Sequence, residues 1–492
     1  MKVLIAASEA HPFIKTGGLG DVMGALPKAL KKLGVDVRVI MPNYKDIRKD
    51  IKDKLKYVKN FNVKVGWRNQ YCGILEYDYE GVKFYLLDNE YYFKRDGLYG
   101  YYDDGEKFAF FDRAVLEFIK NTDWTPDIIH CNDWQTGMIP VLHKLEYIKD
   151  DKFKNIKTIF SIHNLFFKGM FSKEVLPELF GYDYEPFNNG SLEHYGAVSF
   201  LKGAINYSDK VTTVSKTYSE EIKTEEYGEK LDGLLRYRGD SLEGIVNGID
   251  YDEYNPLEDK YIYENYDVKT LYKKAINKKC LQEELGLEVN SEIPMIGLVS
   301  RLTHQKGCDL IINILEELLR ENVQVVILGT GDCLYEASFK DFGRRHKDKL
   351  SVNIRFSNEI AHKIYAASDL FLMPSLFEPC GLGQLIALRY GTLPIVRETG
   401  GLRDTVIPYN KYTGTGNGFG FRNYRADELL KITKYALEVY RDKKAFENLR
   451  VQAMMSDNSW EKSAKEYLRL YSEVIGEIAY KDIVEEIDKS FV

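Results

Sequence analysis

Short apolar runs of strand length alternate with helical patterns along most of the chain. Residues 3–7 and 158–162 are runs of this kind, and an apolar run of about four to eight residues is typical of a strand buried on both faces. Further strands are predicted at 35–41, 128–130, 211–214, 244–246, 295–300, 323–328, 353–356, 370–373 and 393–396. This alternation predicts βαβ units whose parallel sheets are covered by helices on both faces.

Apolar residues recur at helical spacing in 22–33, 309–319 and 460–479. Pro27 lies inside the first of these segments. Because proline lacks a backbone N–H and clashes with the preceding turn, we expect a kink or a late helix start there.

The strand and helix alternation starts twice. Between the two starts, residues 251–275 are rich in Tyr, Asp, Glu, Lys and Asn and show little periodicity. The fold class predicted is α/β, with two doubly wound Rossmann-like domains at 1–250 and 251–460 that face each other across a cleft, and a helical tail at 461–492 that packs back across the domain junction. Ligands of such sheets bind beyond the carboxyl ends of the strands, so the cleft is the expected site.

Composition excludes several classes of protein. The chain has 492 residues, of which 44% are hydrophobic and 29% charged, which excludes a disordered chain. No apolar run approaches the roughly 18 residues of a membrane-spanning helix. The net charge of −7 gives no general electrostatic reason to bind nucleic acid or an anionic membrane. An anionic ligand therefore needs a local basic site.

The cysteines and the N-terminus indicate a cytoplasmic protein. The six cysteines are scattered and contain no Cys-x-x-Cys pair, so they predict neither a zinc site nor a disulfide framework. A reducing compartment is the default for such a chain. The first apolar run is too short for a secretory signal.

A glycine-rich loop follows the first predicted strand, with the sequence Lys-Thr-Gly-Gly-Leu-Gly-Asp at 15–21. Its spacing matches neither the dinucleotide fingerprint nor the Walker loop. Glycines allow close approach to a ligand, the N–H groups of a helix start favour an anion, and Lys15 adds a charge suited to phosphate. A tight turn with an exposed lysine is the alternative.

Two more loops that follow predicted strands carry candidate chemistry. Arg301 and Lys306 lie five positions apart at 300–307 and could grip a diphosphate, unless they form only a solvated basic turn. Glu378 lies in the Gly- and Pro-rich loop 375–384 and is suited to accept hydrogen bonds from sugar hydroxyls. Cys380 lacks a neighbouring base, which disfavours a nucleophile.

Polar residues also follow the strands near 130 and 162. His130, Cys131 and Asp133 suggest zinc, but no second ligand pair accompanies them. Asp250 and Asp252 form an Asp-x-Asp pair of the kind that metal-dependent sugar transferases use. This pair opens the charged segment between the domains, so we interpret it as a solvated turn.

Seven stretches together resemble one family. In order and spacing they match the bacterial glycogen synthases and plant starch synthases, the ADP-glucose-dependent glucan synthases of glycosyltransferase family 5. These stretches are 15–21, 130–137, 163–169, 244–250, 300–307, 377–382 and 389–405. The resemblance implies the GT-B fold. It also implies transfer of glucose from ADP-glucose to the non-reducing end of an α-1,4-glucan such as glycogen, with retained configuration, no metal or other cofactor, and release of ADP.

The resemblance also implies roles for residues at the matching positions. Lys15 and the Gly17 and Gly18 backbone would meet the diphosphate and glucosyl groups. Arg301 and Lys306 would neutralise charge on the departing diphosphate, which is electrostatic stabilisation of the transition state.

Further roles concern the sugar and the base. His163 would bond the glucose 6-hydroxyl, Glu378 the ring hydroxyls, and Asp133 and Asn247 would line the sugar pocket. The backbone of Cys380, Gly381 and Leu382 would lie near sugar and phosphate. Phe356 would stack on adenine.

Some alternatives stay open. A leaving phosphate oxygen on the same face could accept the acceptor's proton, whereas double displacement would need a carboxylate such as Glu378 or Asp133 near the anomeric carbon. Ile386 occupies the position, eight after Glu378, where many retaining GT-B enzymes have a second Glu. A UDP-glucose-dependent sister transferase and a catalytically silent glucan-binding protein are the competing functions.

Overall fold

The computed structural model describes residues 1–476 and divides the chain into two compact units. Among these residues, the first unit contains 1–214, 219–245 and 460–476, and the second contains 215–218 and 246–459. Within the described residues, no helix has the length and apolar character needed to cross a membrane.

The first unit is built on a nine-stranded sheet with the order β12-β11-β7-β6-β1-β2-β5-β4-β3, beside a small sheet with the order β8-β10-β9. Its strands are β1 Lys2–Ala6, β2 Asp36–Pro42, β3 Lys56–Val65, β4 Arg68–Tyr79, β5 Val82–Asp88, β6 Ile128–Asn132, β7 Lys157–Ile162, β8 Met170–Phe171, β9 Glu193–His194, β10 Ala197–Ser199, β11 Lys210–Thr213 and β12 Leu242–Gly244.

Helices cover this sheet and carry its crossovers. They are α1 Gly18–Lys32, α2 Lys49–Lys52, α3 Glu90–Phe93, α4 Asp104–Asn121, α5 Met138–Leu145, α6 Glu185–Asn188, α7 Phe200–Tyr207, α8 Lys216–Glu221, which starts in the 215–218 segment, and α9 Asp232–Arg238. Short 3-10 turns at Trp134–Thr136, Tyr147–Lys149 and Gly239–Ser241 and a π-helical turn at Leu176–Phe180 complete the unit.

The second unit has one parallel six-stranded sheet with the order β15-β14-β13-β16-β17-β18. Its strands are β13 Met295–Val299, β14 Gln324–Leu328, β15 Leu350–Asn353, β16 Leu370–Met373, β17 Leu393–Arg397 and β18 Phe419–Phe421. Its helices are α10 Lys274–Leu285, α11 Cys308–Leu318, α12 Cys333–Arg345, α13 Asn358–Ala367, α14 Gly383–Arg389, α15 Gly400–Thr405, α16 Ala426–Arg441 and α17 Lys443–Met454, with 3-10 turns at Val268–Lys273 and His304–Lys306.

The last described helix, α18 Trp460–Ile475, returns to the first unit. Tyr467 and Tyr471 on this helix are buried against His130 of β6. The helical pattern predicted at 460–479 thus forms a helix as far as residue 475. The rest of the tail predicted at 461–492 lies outside the described residues after 476.

Most predicted strands are present within one or two residues, because fully buried strands are continuous apolar runs. In β1, the side chains of Val3, Leu4, Ile5 and Ala6 are completely buried. The first sheet is parallel except at one edge, where β3 pairs with β4, and β4 with β5, in antiparallel fashion. The sequence did not predict β3, which is mostly exposed and has no long apolar run.

One local prediction was wrong, and one of the two alternatives expected at Pro27, a late helix start, is excluded. The expected strand at 353–356 lies earlier, at Leu350–Asn353, and Phe356 follows it in a loop. The first helix starts at Gly18 and continues through Pro27, so the proline does not delay its start.

A buried charge network holds the centre of the second unit's sheet. Asp369 is 3% exposed and accepts from Lys278 Nζ at 2.8 Å and from the Met295 backbone N–H at 2.8 Å. Arg450 pairs with its other oxygen. Burial alone would raise the pKa of Asp369, but the charges of Lys278 and Arg450 outweigh it and hold the pKa below its ordinary value. The network therefore ties three elements to the start of β13.

We expect Asp369→Asn to lower the free energy of unfolding of the second unit by about 3–5 kcal/mol, because it leaves the buried ammonium of Lys278 and the partly buried guanidinium of Arg450 without a counter-charge. Urea unfolding at pH 7 measures this. Because the folded pKa is lowered, the contribution is complete above the ordinary carboxyl pKa of about 4 and is lost at lower pH. Asp427→Asn removes an exposed pair with Arg425 and should leave the midpoint unchanged. Equal midpoints for both variants would contradict the role of Asp369.

Candidate functional site

The polar residues of the first unit gather at the carboxyl ends of three neighbouring parallel strands. β6 and β7 pair with each other, and β6 pairs with β1. The loops after these strands carry Lys15, Asp133 and His163. Adjacent parallel strands deliver their following loops to one edge of the sheet, which is the ligand-binding edge of such folds.

The loop between β1 and α1 is organised by a carboxylate that the sequence analysis did not single out. Glu9 is 2% exposed and accepts from Thr16 N at 2.8 Å, Thr16 Oγ1 at 2.7 Å and Gly20 N at 3.2 Å. Burial raises its pKa, although these donors oppose the shift. Lys15 Nζ lies 2.6 Å from Asp21 Oδ1. Glu9 thereby fixes the backbone on both sides of the two glycines.

Gly17 and Gly18 are exposed at the start of α1. A Cβ placed on Gly17 would meet no atom within 4 Å. Since the packing of the described residues does not require glycine at this position, the open space over the Gly17 backbone suits close approach of a ligand to the N–H groups of the helix start.

Asp133 has an unusual backbone conformation, with φ 56° and ψ 177°. This region is strained for any residue with a Cβ, and such strain concentrates at functional sites. Its Oδ1 accepts from the backbone N–H of His163 at 2.8 Å and of Asn164 at 3.4 Å. Burial raises the pKa of Asp133 to about 7, although the two N–H donors oppose the shift. Asp133 thus holds the turn that carries His163.

The His163 ring is held by a side chain of the neighbouring strand. Its Nε2 lies 2.9 Å from Asn132 Oδ1. Burial lowers the pKa of His163 to about 4, so the ring is neutral near pH 7.

His130 has a structural role. It is fully buried, with Nδ1 2.7 Å from Tyr471 Oη and Nε2 2.6 Å from Ser161 Oγ. Both ring nitrogens are therefore engaged in the core. Across residues 1–476, no three His, Cys, Asp or Glu side chains are grouped so that they could hold a metal ion.

In the second unit, the loops after β13 and β16 bring two predicted residues together. Lys306 Nζ lies 2.6 Å from Glu378 Oε2, and Ser375 Oγ donates to the same oxygen at 3.0 Å. The Glu378 side chain is 6% exposed and that of Lys306 17%. Arg301, on the same loop as Lys306, is exposed.

Glycines allow these loops to pack closely. A Cβ on Gly307 would lie 2.2 Å from Pro374 O, and one on Gly329 would lie 1.9 Å from Ser300 O. Gly307 also has φ 74°, a conformation that favours glycine. The first contact holds the Arg301 and Lys306 loop against the loop after β16, and the second holds it against the loop after β14.

The backbone that follows Glu378 is also tightly held. Gln384 Nε2 donates to the carbonyls of Cys380 and Gly381, both at 3.0 Å. Gly381 has φ 76°, and a Cβ there would lie 2.4 Å from Gln384 Oε1. Leu382 caps the start of α14. Cys380 is buried, which raises the pKa of its thiol to about 12, so the thiol is not an activated nucleophile.

Asn247 is buried beside this loop. Its backbone N–H reaches the Cys380 thiol. Within residues 1–476, its side-chain Oδ1 is buried without a hydrogen-bond partner. A buried polar atom of this kind calls for an explanation.

Three other residues from the sequence analysis take no part in the contacts described above. Phe356 is 82% exposed, which leaves its ring face open. Ile386 is buried in an apolar cluster with Tyr390 and Leu385, so its position faces the core. Asp250 Oδ1 accepts from the backbone N–H of Asp252 at 2.9 Å.

Four residues that hold the functional side chains were missing from the predicted set. Glu9, Asn132, Ser375 and Arg397 are all buried, and Arg397 Nε donates to Ser375 O at 2.9 Å. Each lies at or just after the end of a parallel strand. This position is the sequence signal from which they could have been predicted.

Comparisons with known proteins agree over nearly the whole chain. Residues 2–237 match the family described as starch synthase catalytic domain, and residues 285–450 match glycosyl transferases group 1. A glycogen synthase of Clostridium perfringens (strain 13 / Type A) is 66% identical over 96% of this chain and 98% of its own length. A glycogen synthase of Clostridium botulinum (strain Alaska E43 / Type E3) is 63% identical over 96% and 99%, respectively.

Two solved structures have similar folds, and one of them is a starch synthase. The catalytic domain of starch synthase IV from Arabidopsis thaliana, bound to ADP and acarbose, has a TM-score of 0.90 and 33% identity, and the match covers 97% of this chain and 99% of that one. Sucrose-phosphate synthase from Thermosynechococcus elongatus, at 15% identity and a TM-score of 0.62 over 96% and 99% of the two chains, shows the fold alone. The chain therefore belongs to the glycogen and starch synthase family, the GT-B glucosyltransferases that elongate a glucan.

Proposed function

We propose that this protein transfers glucose from ADP-glucose to the non-reducing end of an α-1,4-glucan, with retained configuration and release of ADP. The observation that carries the proposal is the 2.6 Å contact between Lys306 Nζ and Glu378 Oε2. It joins a cation suited to phosphate and a carboxylate suited to sugar hydroxyls on two loops at the carboxyl edge of one sheet.

The departing diphosphate needs charge stabilisation. The donor's anomeric C–O bond breaks, and two phosphates carry the developing negative charge. Arg301 and Lys306 supply fixed positive charges for it, which lowers the barrier. The acceptor hydroxyl forms the new C–O bond, and a leaving phosphate oxygen on the same face takes its proton. No protein nucleophile is needed in this route.

The first unit contributes groups for the glucosyl end. Lys15 and the Gly17 and Gly18 backbone are proposed to contact phosphate and sugar. His163, neutral at pH 7, bonds the 6-hydroxyl of the glucose. Asp133 holds the turn that carries His163.

In the second unit, further groups are proposed to contact the donor. Glu378 accepts from the ring hydroxyls, and the backbone of Cys380, Gly381 and Leu382 lies along sugar and phosphate. The buried Oδ1 of Asn247, which has no hydrogen-bond partner in the described part of the chain, is proposed as a further acceptor for a sugar hydroxyl.

Two observations support a preference for adenine as the base of the donor nucleotide. The exposed ring of Phe356 offers a stacking face for a base, and the Arabidopsis relative binds ADP. We place the reaction in the cytoplasm because all six cysteines are free thiols, as in a reducing compartment.

The test is nucleotide release by the purified full-length protein given ADP-glucose or UDP-glucose, with and without glycogen, and with EDTA. Glycogen-dependent ADP release that survives EDTA supports donor, acceptor and metal independence together. Turnover of UDP-glucose alone would overturn the donor assignment. Glycogen binding without any turnover would favour the silent glucan-binding protein.

We expect Lys306→Met to lower kcat by roughly 10²–10³-fold, as for loss of one preorganised charge at a transition state. Steady-state ADP release with saturating donor measures this. Lys434→Met is the matched control, because Lys434 forms an exposed pair with Glu317, and it should keep full activity. Full activity of Lys306→Met would contradict the assigned role of this lysine.

We expect Asp133→Asn to raise the melting temperature at about pH 8 by about 2–4 °C while lowering kcat tenfold or more. The folded pKa of about 7 lies above the unfolded value of about 3.9. Ionisation of Asp133 therefore costs stability progressively as the pH rises from about 4 to 7. Thermal melts from about pH 5 to 8 should show the difference between variant and parent shrinking toward acid. A lower melting temperature of the variant at pH 8 would refute this account.

A further inference from the structure

Asn132 is the last residue of β6 and is completely buried. Its Nδ2 donates to the backbone carbonyls of Ala6 at 3.1 Å and His130 at 3.2 Å. Two carbonyl partners settle which end of the amide is nitrogen, since only nitrogen can donate to them. The atom 2.9 Å from His163 Nε2 is therefore the amide oxygen.

This geometry determines the tautomer of His163. An amide oxygen only accepts, so Nε2 must carry the ring proton. In a neutral imidazole the other nitrogen, Nδ1, then has only a lone pair. Within residues 1–476, no protein hydrogen bond to Nδ1 is present, and the residue is partly exposed.

We propose that Asn132 is a positioning residue that locks His163 in its Nε2–H tautomer, so that Nδ1 accepts a hydrogen bond from the primary hydroxyl of the transferred sugar. The inference rests on the proposed function and adds a specificity for sugars that carry a hydroxyl at position 6. A lone pair at this point accepts from a hydroxyl, leaves a 6-deoxy sugar unbound there, and repels the carboxylate of a uronic acid.

The titratable groups on neighbouring elements have hydrogen-bond partners other than the His163 ring, so they do not determine which ring nitrogen carries the proton. Asp133 accepts from the His163 backbone rather than from its ring. Both nitrogens of His130 have partners on other residues. Glu9 accepts from the α1 loop, and Tyr99 Oη pairs with Ser8 Oγ at 2.7 Å.

The first experiment measures the tautomer directly in the free protein. Two-dimensional ¹⁵N NMR of histidine-labelled protein should show His163 as the Nε2–H form at pH 7, assigned by its loss in His163→Ala. Asn132→Leu keeps the branched shape and the number of side-chain heavy atoms but removes the amide and with it the acceptor for His163 Nε2, and the His163 signals should move toward a mixture of tautomers. An Nδ1–H form in the wild-type protein would overturn the proposal, whatever the activity.

The control removes a comparable buried hydrogen bond that does not touch His163. Ser161→Ala deletes the partner of His130 Nε2 on the neighbouring strand β7. We expect it to lower thermal stability as Asn132→Leu does but to leave the His163 signals and kcat unchanged. An identical change in the His163 signals in both variants would mean that loosening of the strands, rather than the acceptor, controls the ring.

The second experiment tests the sugar contact by kinetics. Asn132→Leu should lower kcat/KM about tenfold with ADP-glucose, the value of one hydrogen bond, and should have almost no effect with ADP-6-deoxyglucose. The wild-type protein alone should prefer ADP-glucose over the 6-deoxy donor by about tenfold or more. An equal loss with both donors, or no preference in the wild type, would overturn the contact. Inactivity with every nucleotide sugar would instead overturn the proposed function, and the NMR result would still decide the tautomer.

Discussion

Parallel pairing of β1 with β6, and of β13 with β16, is the constraint on which the rest of this structure depends. Strands that all run in one direction release their following loops at the same edge of the sheet. In the first unit that edge collects the Gly17 loop, Asp133 and His163. In the second it collects the loops of Lys306 and Glu378. The candidate chemistry of each unit follows from this placement, because the loops begin on rigid, buried strands.

Polar groups at such an edge are partly removed from water, so each one needs a partner. Lys306 Nζ and Glu378 Oε2 form an ion pair at 2.6 Å. Glu9 satisfies the N–H groups of the glycine loop, and Asn132 orients a histidine. An unpartnered buried polar group costs about 1–3 kcal/mol, so these pairings hold each functional side chain in one geometry. The strained backbone of Asp133 persists because two N–H donors hold its carboxylate.

Much of the fold could be predicted because buried parallel strands are continuous apolar runs, as β1 shows. The antiparallel strand β3 was missed because it is mostly exposed and rich in lysine, so it lacks that signal. Phe356 was placed in a strand because it is apolar and follows one, whereas the strand ends at Asn353. Local hydrophobicity does not distinguish a buried ring from one that is open to solvent.

The sequence by itself determined which residue types follow each strand, and therefore that a lysine and glycine loop, a histidine and a carboxylate lie at the edges of two sheets. The resemblance of seven ordered stretches then implied the family. Only the tertiary structure decided which side chains are hydrogen-bonded to each other. Lys306 meets Glu378 across 72 positions, and Asn132 meets His163 across 31. The physical reason is that such hydrogen bonds depend on strand order and register, and side chains distant in the chain become neighbours only when the sheet forms.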